Sequence, residues 1–219
     1  MSVYHVRSFY FMNKQHFILF DFDGVIADSI SAAFEINQKL LPGLTIDEFR
    51  LAANGNINDW AKKQSLDKSK KDLGESFFKE YRNRAEDNIQ LFAGMDKTIE
   101  ALAQDYNLTV VSSSLTDIIQ KFLDRYCLTD YFIKIMGNEI HLKKKIKIEM
   151  ILNEYGAKAD DCVFVTDTLG DVHEAGQLKI PSIGVGWGLH QPEMLSKKCW
   201  SVVDNPTELI DAISARFGK

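Results

Sequence analysis

The 219-residue sequence lacks a basic excess, and this absence excludes two large classes of partner. Its 26 Lys and Arg residues are outnumbered by 31 Asp and Glu, giving a formal net charge of −5. Proteins whose general partner is nucleic acid or an anionic membrane usually carry a basic patch or a basic excess. We therefore expect neither partner for this chain.

The sequence also lacks long apolar runs and paired cysteines. No run approaches the roughly 18–20 apolar residues that span a bilayer, and charged residues interrupt the N-terminal stretch where a signal peptide would be apolar. Cys127, Cys162 and Cys199 form no CxxC pair, so we expect free thiols in a reducing compartment. Cytoplasm is the expected location. Met12 is an alternative start that would make residues 1–11 a dispensable extension.

What the sequence does contain is an alternation of short β-rich runs with apolar stripes at helical spacing. Six runs have the residue types of strands, at 17–20, 108–111, 131–136, 162–165, 181–185 and 200–203. Helical stripes lie between several of these runs and after the last, as at 118–126, 148–155 and 209–217. This alternation is typical of an α/β fold. We predict a Rossmann-like parallel sheet sandwiched by helices.

One segment, residues 29–91, breaks the alternation. It contains no strand signal, it is polar and helical, and Thr45 and Glu48 form a capping-box pattern within it. About 60 helical residues are too many for an ordinary crossover between strands. We therefore predict an α-helical cap domain (29–91) inserted into an α/β core domain made of residues 1–28 and 92–219.

Paired carboxylates follow two of the predicted strands. Asp21 and Asp23 come directly after the first strand, and Asp167 and Asp171 follow the strand at 162–165. Ligands of open α/β sheets bind at the carboxyl ends of the strands, where these four side chains are expected to meet. A dense cluster of carboxylate oxygens suits Mg²⁺, and without a cation the carboxylates would repel one another.

Four motifs, in this order along the chain, resemble those of the haloacid dehalogenase-like hydrolases. The similarity is greatest to the phosphoglycolate-phosphatase-like branch, which carries a helical cap after the first strand. The motifs lie at 21–25, 108–113, 143–149 and 163–167, the last followed by Asp171, and the resemblance covers residues 17–217. It implies a phosphoric monoester hydrolase that uses Mg²⁺ and an aspartyl-phosphate intermediate to hydrolyse a small phosphorylated metabolite.

The resemblance also implies roles for the acids. Asp21 would be the nucleophile that attacks phosphorus, and Asp23 would be the general acid and then the general base. Mg²⁺ would be held by Asp21, the backbone carbonyl of Asp23 and Asp167, with Asp171 as a further ligand. An acid at position 23 favours phosphate esters, because the dehalogenases of this superfamily lack one there.

The implied phosphate-binding groups are the backbone N–H groups from Phe22 to Gly24 and three side chains, those of Ser112, Ser113 and Lys145. Among the neighbouring lysines Lys145 fits the family pattern best, because an acid, Glu149, follows it by four residues. Lys144 is the next candidate, whereas Lys143 and Lys147 are expected on the surface. Two positions depart from the family pattern: Ile146 stands where proline is common, and Thr166 where glycine is common.

Substrate specificity is expected to come from the cap. Asn54, Gly55 and Asn56 lie where a specificity loop would fall, and they could either bind substrate hydroxyls or form an ordinary turn. Arg82 and Arg84 could meet a substrate carboxylate or be solvated. Asp28 and Ser29 are expected to cap the first cap helix rather than to take part in chemistry.

Several substrates and two other functions stay open at this level. Phosphoglycolate, a sugar phosphate, a nucleotide and pyrophosphate are all compatible with the motifs. A sugar-phosphate mutase resembling β-phosphoglucomutase would share the cap and both aspartates. A non-catalytic binding protein of the same fold is a further alternative, which the intact acids disfavour. The oligomeric state, monomer or dimer, is also open.

Overall fold

The structure is a computed structural model that describes residues 14–65 and 73–218. The predicted N-terminal extension, residues 1–11, lies outside the described residues. The helices within the described ranges are too short or too polar to cross a bilayer.

Six parallel strands form the main sheet. They are β1 (Phe17–Phe20), β4 (Asn107–Val111), β5 (Phe132–Met136), β6 (Cys162–Thr166), β7 (Ser182–Val185) and β8 (Ser201–Val203). Their order across the sheet is β5-β4-β1-β6-β7-β8, with the fully buried β1 between β4 and β6. All six agree with the predicted strands to within one residue at each end, and the predicted Rossmann-like sheet is confirmed.

Helices cover both faces of this sheet. The described helices are α1 (Ile30–Leu40), α2 (Ile46–Ala52), α3 (Ile57–Ser65), α4 (Leu73–Asp87), α5 (Met95–Asp105), α6 (Thr116–Arg125), α7 (Lys144–Tyr155), α8 (Leu169–Gly176), α9 (Pro192–Leu195) and α10 (Glu208–Phe217). Side chains alternate between the two faces of a strand. Ile18 and Phe20 therefore pack with α5, α6 and α10, whereas Phe17 and Leu19 pack with α7 and α8.

A short antiparallel ribbon fastens the ends of the predicted cap segment. Its strands, β2 (Ala27–Asp28) and β3 (Gln90–Leu91), place the chain's entry to α1–α4 beside its exit. Two-residue strands carry no periodic signal, and no strand is predicted here from the sequence. The capping box that begins α2 is confirmed, since Thr45 and Glu48 exchange both of its hydrogen bonds. The division into a core and a cap domain stays a prediction.

Candidate active site

The loops that follow β1, β4 and β6 meet at one edge of the sheet. Because β1 pairs in parallel with both neighbours, Asp21, Ser112 and Asp167 leave the sheet on the same side. The four predicted acids line a single cavity at this edge, together with Lys144. The structure thus brings together the carboxylates that the sequence analysis grouped.

Asp21 is buried, and its carboxylate is held from two sides. Its Oδ2 lies 2.7 Å from the Lys144 Nζ, and its Oδ1 accepts the N–H of Phe22 at 2.7 Å. Burial raises the pKa of Asp21 well above its usual value, and the Lys144 ammonium acts in the opposite direction. Because a nucleophile must be ionised, the Lys144 ammonium favours the reactive form of Asp21 and opposes the effect of burial.

Lys144 bridges Asp21 to Asp171. Its Nζ lies 2.6 Å from the Asp171 Oδ2, which also accepts the Thr166 hydroxyl at 2.7 Å. Burial acts to raise the pKa of Asp171, but Lys144 and Thr166 hold it below its usual value. Burial likewise acts to lower the pKa of Lys144, yet Asp171 and Asp21 raise it. Asp171 and Lys144 therefore form a charged pair. Thr166, which stands where glycine is common in the family pattern, stabilises this pair by donating its hydroxyl to Asp171.

Asp167 is completely buried, and only one of its carboxylate oxygens has a protein partner. Oδ2 accepts the N–H of Leu189 at 2.8 Å, whereas Oδ1 has no hydrogen-bond partner in the described part of the chain. Two glycines pack closely here: a Cβ on Gly24 would lie 2.1 Å from Oδ2, and one on Gly188 would lie 2.1 Å from the Cβ of Asp167. Burial raises the pKa of Asp167 to about 7. An unpartnered oxygen in such a cluster is what a bound cation would satisfy.

The cluster fits a divalent cation without forming a complete cage of side chains. Within residues 14–65 and 73–218, no three His, Cys, Asp or Glu side chains are arranged to hold a metal. Asp21 and Asp167 supply buried carboxylate oxygens, and the family pattern adds the carbonyl of Asp23. Mg²⁺ suits such a set, because it commonly binds one or two carboxylates and keeps several waters.

Three hydroxyl groups hold the carboxylate of Asp23. Ser29 donates to Oδ1 at 2.8 Å, Tyr81 donates to the same oxygen, and Ser114 donates to Oδ2 at 2.6 Å. Burial and the Asp23 carboxylate raise the pKa of Tyr81 well above its usual value, so its hydroxyl stays protonated and can donate. None of the three was predicted for the site. Ser29 was expected only as a helix cap, yet its side chain makes no capping hydrogen bond.

The serines after β4 differ in their exposure to the cavity, and the phosphate contacts expected of Ser112 and Ser113 stay predictions. Ser112 is completely buried, and its Oγ accepts the N–H of Ser114 at 3.0 Å. Ser113 and Ser114 line the cavity. The Ser112 hydroxyl retains its own proton as a donor, while the two following serines face the space that a substrate would enter.

The predicted backbone nest from Phe22 to Gly24 is largely occupied within the protein. The N–H of Phe22 donates to Asp21, and the N–H of Gly24 donates to the carbonyl of Ala27 at 2.9 Å. Gly24 has a φ of 73°, a conformation that glycine adopts without strain. Its role in the structure is the tight turn and the close approach to Asp167, and neither of these two N–H groups points to a substrate.

The structure places Lys144, not Lys145, at the carboxylates, which corrects the prediction for the site lysine. The Nζ of Lys145 lies 3.8 Å from Glu149, and a third of this side chain is exposed. Lys147, expected on the surface, is completely buried and donates to the carbonyls of Ser112 and Gly137. Burial lowers the pKa of Lys147 to about 8. Two lysines of this run therefore lie inside the protein, and only one contacts the predicted nucleophile.

The predicted specificity loop of the cap segment packs against α8. Gly55 and Asn56 line the cavity, but Asn54 is exposed and does not. The Asn56 amide donates to Glu174 at 2.6 Å, and a Cβ on Gly170 would lie only 2.2 Å from the carbonyl oxygen of Gly55. The amide of Asn56 thus holds the loop against α8 through Glu174, rather than being available to substrate hydroxyls.

Comparison with known proteins decides the family. Residues 18–185 match the family model described as haloacid dehalogenase-like hydrolase. The chain belongs to this family. The resemblance inferred from the four motifs is thereby confirmed, and the match includes Asp21, Lys144 and Asp171.

Curated relatives of this haloacid dehalogenase-like hydrolase are named as phosphatases. The chain is similar to a phosphoglycolate phosphatase from Synechococcus elongatus, with 22% identity over 90% of this chain and 96% of that protein. It is also similar to the pyrophosphatase PpaX from Listeria monocytogenes, with 24% identity over 82% of this chain and 87% of that protein. A solved structure from Clostridium acetobutylicum, titled a predicted phosphatase, aligns with a TM-score of 0.74 at 20% identity, covering 93% of this chain and 100% of the other. That likeness supports the fold.

Proposed function

We propose that this chain is a Mg²⁺-dependent phosphatase that hydrolyses a small phosphorylated metabolite through an aspartyl-phosphate on Asp21. Its family and the phosphatase names of its relatives make it a phosphoric monoester hydrolase. The observation that carries the mechanism is the pairing of Asp21 with Lys144 beside a second carboxylate, Asp23, which three hydroxyl groups hold in place.

In the first step the Asp21 carboxylate attacks phosphorus. A bond forms between its oxygen and phosphorus while the bond from phosphorus to the ester oxygen breaks. Asp23 must enter this step as the protonated acid, and it donates that proton to the departing oxygen, which leaves as a neutral alcohol. The hydrogen bonds from Ser29, Tyr81 and Ser114 fix the direction in which the Asp23 carboxyl group points.

In the second step water attacks the phosphorus of the aspartyl-phosphate. Asp23, now a carboxylate, accepts a proton from the water as the new bond forms, and the Asp21 oxygen leaves phosphorus. Inorganic phosphate is released, Asp21 is again a carboxylate and Asp23 is again protonated. The two steps together consume one water and one ester.

The remaining residues neutralise the carboxylates and stabilise the charge of the phosphoryl group. Lys144 offsets the negative charge of Asp21 and Asp171, and its Nζ lies 2.7 Å from the Asp21 oxygen beside which a phosphoryl group would lie. The family resemblance assigns Ser112 a hydrogen bond to a phosphoryl oxygen, although its side chain is buried and is not among the residues that line the cavity. Mg²⁺ held by Asp21, Asp167 and the Asp23 carbonyl would shield the incoming phosphate from the carboxylates and stabilise charge on the transferring group.

The test is hydrolysis of an aryl phosphate with and without Mg²⁺, by the wild type and by Asp21→Asn. We expect turnover only by the wild type and only with Mg²⁺. Asp28→Asn is a matched control, because Asp28 is an exposed aspartate a few residues further along the chain. Activity that survives in Asp21→Asn would remove Asp21 from the role of nucleophile. Cell fractionation would test the predicted cytoplasmic location.

A further inference from the structure

The cavity that contains Asp21 and Asp23 extends into the cap segment, where its walls become apolar. Its volume is about 190 Å³. Each of the described helices α1–α4 contributes apolar side chains to its walls, among them those of Leu40, Phe49, Ile57, Trp60, Phe77 and Phe78, beside a smaller number of amide side chains. A substrate whose phosphate lies at Asp21 would therefore direct its leaving group among aliphatic and aromatic side chains.

Stacked rings make this apolar wall continuous with the catalytic carboxylates. The ring of Phe77 packs edge-to-face on that of Phe78, with centroids 5.5 Å apart, and stacks on that of Tyr81 at 5.4 Å. The Tyr81 hydroxyl in turn donates to Asp23. The wall thus runs from the cap to the group that would protonate the leaving oxygen, so the apolar space is part of the same site.

The charges around the cavity disfavour a second anionic group on the substrate. Among its described lining residues, the one cationic side chain is Lys144, which already bridges Asp21 and Asp171. Glu174 adds a further carboxylate to the lining. From the described lining, an anionic leaving group would therefore meet apolar, amide and acidic side chains but no second ammonium, and burying its charge without a cationic partner would be costly.

The two cap arginines considered for a substrate carboxylate are engaged elsewhere. Arg82 pairs with Asp117 at 2.9 Å, and Arg84 pairs with Glu35 at 2.8 Å. Neither arginine lines the cavity. The structure therefore uses these charges on its surface and gives them no contact with the proposed leaving-group space.

We infer that the preferred substrate is a phosphate monoester of an uncharged, largely apolar alcohol or phenol. This inference rests on the proposed phosphatase function and narrows its substrate class. The inferred substrate differs from those in the relatives' names, because the glycolate part of phosphoglycolate and the second phosphate of pyrophosphate are both anionic.

The experiment measures kcat/KM for phosphate release from ethyl, butyl and hexyl phosphate and from 2-phosphoglycolate, using the full chain with Mg²⁺. The three alkyl esters have primary alcohols of similar basicity as leaving groups, so differences among them report contacts with the alkyl chain. Each methylene that enters the cavity should raise kcat/KM by about fourfold. We expect hexyl phosphate to exceed ethyl phosphate by at least tenfold or so, and 2-phosphoglycolate to fall below ethyl phosphate.

Two tryptophan variants locate the effect. Trp60→Ala removes a lining side chain and should lower the hexyl-to-ethyl ratio of kcat/KM, whereas Trp200→Ala removes a half-exposed tryptophan outside the cavity and should leave that ratio unchanged. If Trp60→Ala does not fold, the wild-type series decides alone. A flat or falling series, or 2-phosphoglycolate as the best substrate, would overturn the inference and leave the phosphatase intact. Release of phosphate from none of these esters, nor from an aryl phosphate, would instead overturn the proposed function.

Discussion

Replacing Lys144 by methionine tests the electrostatic design of the site, with Lys145→Met as a matched control. Both variants remove one ammonium and keep an unbranched side chain. Lys144 is 4% exposed and lies within 2.7 Å of two carboxylates, whereas Lys145 makes one long contact with Glu149 at the surface. The two substitutions are thus chemically identical and differ only in location.

The structure sets the size of the expected effects. Removing one partner of a buried ion pair typically costs 3–5 kcal/mol, and we expect about 3 kcal/mol for Lys144→Met, because Asp21 and Asp171 can take up protons. For a chain of this length that is a fall in melting temperature of about 6–12 °C. Loss of a preorganised positive group beside the phosphoryl position should lower kcat by about 10²–10³-fold. Lys145→Met should change stability by less than about 1 kcal/mol.

Two assays check these values. Thermal unfolding without Mg²⁺ gives the stability change, and steady-state hydrolysis of an aryl phosphate with saturating Mg²⁺ gives kcat. The loss of stability in Lys144→Met should be smaller at pH 5 than at pH 7, because protonated carboxyl groups need no counter-ion. A variant Lys145→Met that loses most of its activity, beside an active Lys144→Met, would refute the assignment made from the structure and restore the one made from the sequence.

Three further predictions concern the groups around the acids. Tyr81→Phe keeps the ring but removes one of the three hydrogen bonds to Asp23. Steady-state kinetics should show that kcat falls by roughly 3–10-fold and that the pH–rate profile shifts. An unchanged kcat and an unchanged profile would contradict a positioning role for Tyr81. Burial raises the pKa of Asp167 to about 7, and Mg²⁺ binds the carboxylate form. The affinity for Mg²⁺ measured by titration calorimetry should therefore rise between pH 6 and pH 8. An affinity that does not depend on pH would contradict Asp167 as a Mg²⁺ ligand. Gly188→Ala places a Cβ against Asp167, so it should lower the free energy of unfolding by about 1–3 kcal/mol and remove most of the activity. Gly176→Ala is the control, because its Cβ would meet no atom within 4 Å. In the same unfolding and activity assays it should be neutral or stabilising.

The sheet and the acids could be predicted because their signals are local. Each strand is a short run of apolar residues, and Asp21 and Asp167 directly follow two such runs. Parallel pairing then brings the ends of β1 and β6 together without further information. The two-residue strands β2 and β3 gave no such signal, because their pairing depends on contacts across about sixty intervening residues.

The site lysine was mispredicted although a signal for it exists. Ile148 and Ile151 were assigned to the core, and residues four positions earlier lie on the same helix face. Lys144 and Lys147 stand at those positions, and both are buried with the two isoleucines in α7. The family pattern of a lysine followed by an acid favoured Lys145, whose partner Glu149 lies on the more exposed face. Lys145 stands three positions before Ile148, so helical spacing predicts the burial of Lys144 and Lys147 without excluding Lys145.

The hydroxyl groups around Asp23 could not be derived from the sequence. Ser29, Tyr81 and Ser114 are separated by 52 and 33 positions, and each is an ordinary serine or tyrosine in its local context. They meet because α4 returns over the sheet edge and the loop after β4 rises beside it. The apolar leaving-group space has the same origin, since its walls come from four helices whose relative packing no single sequence pattern encodes.

The most direct test of the account is to identify the residue that carries the phosphoryl group. Turnover of an aryl phosphate would be quenched within milliseconds in acid, and borohydride would then reduce any aspartyl-phosphate to homoserine, which peptide mass spectrometry locates. We predict homoserine at position 21 in the wild type with Mg²⁺, and none there without Mg²⁺ or in Asp21→Asn. Steady phosphate release with an unmodified Asp21, or modification of another residue in its place, would contradict the mechanism.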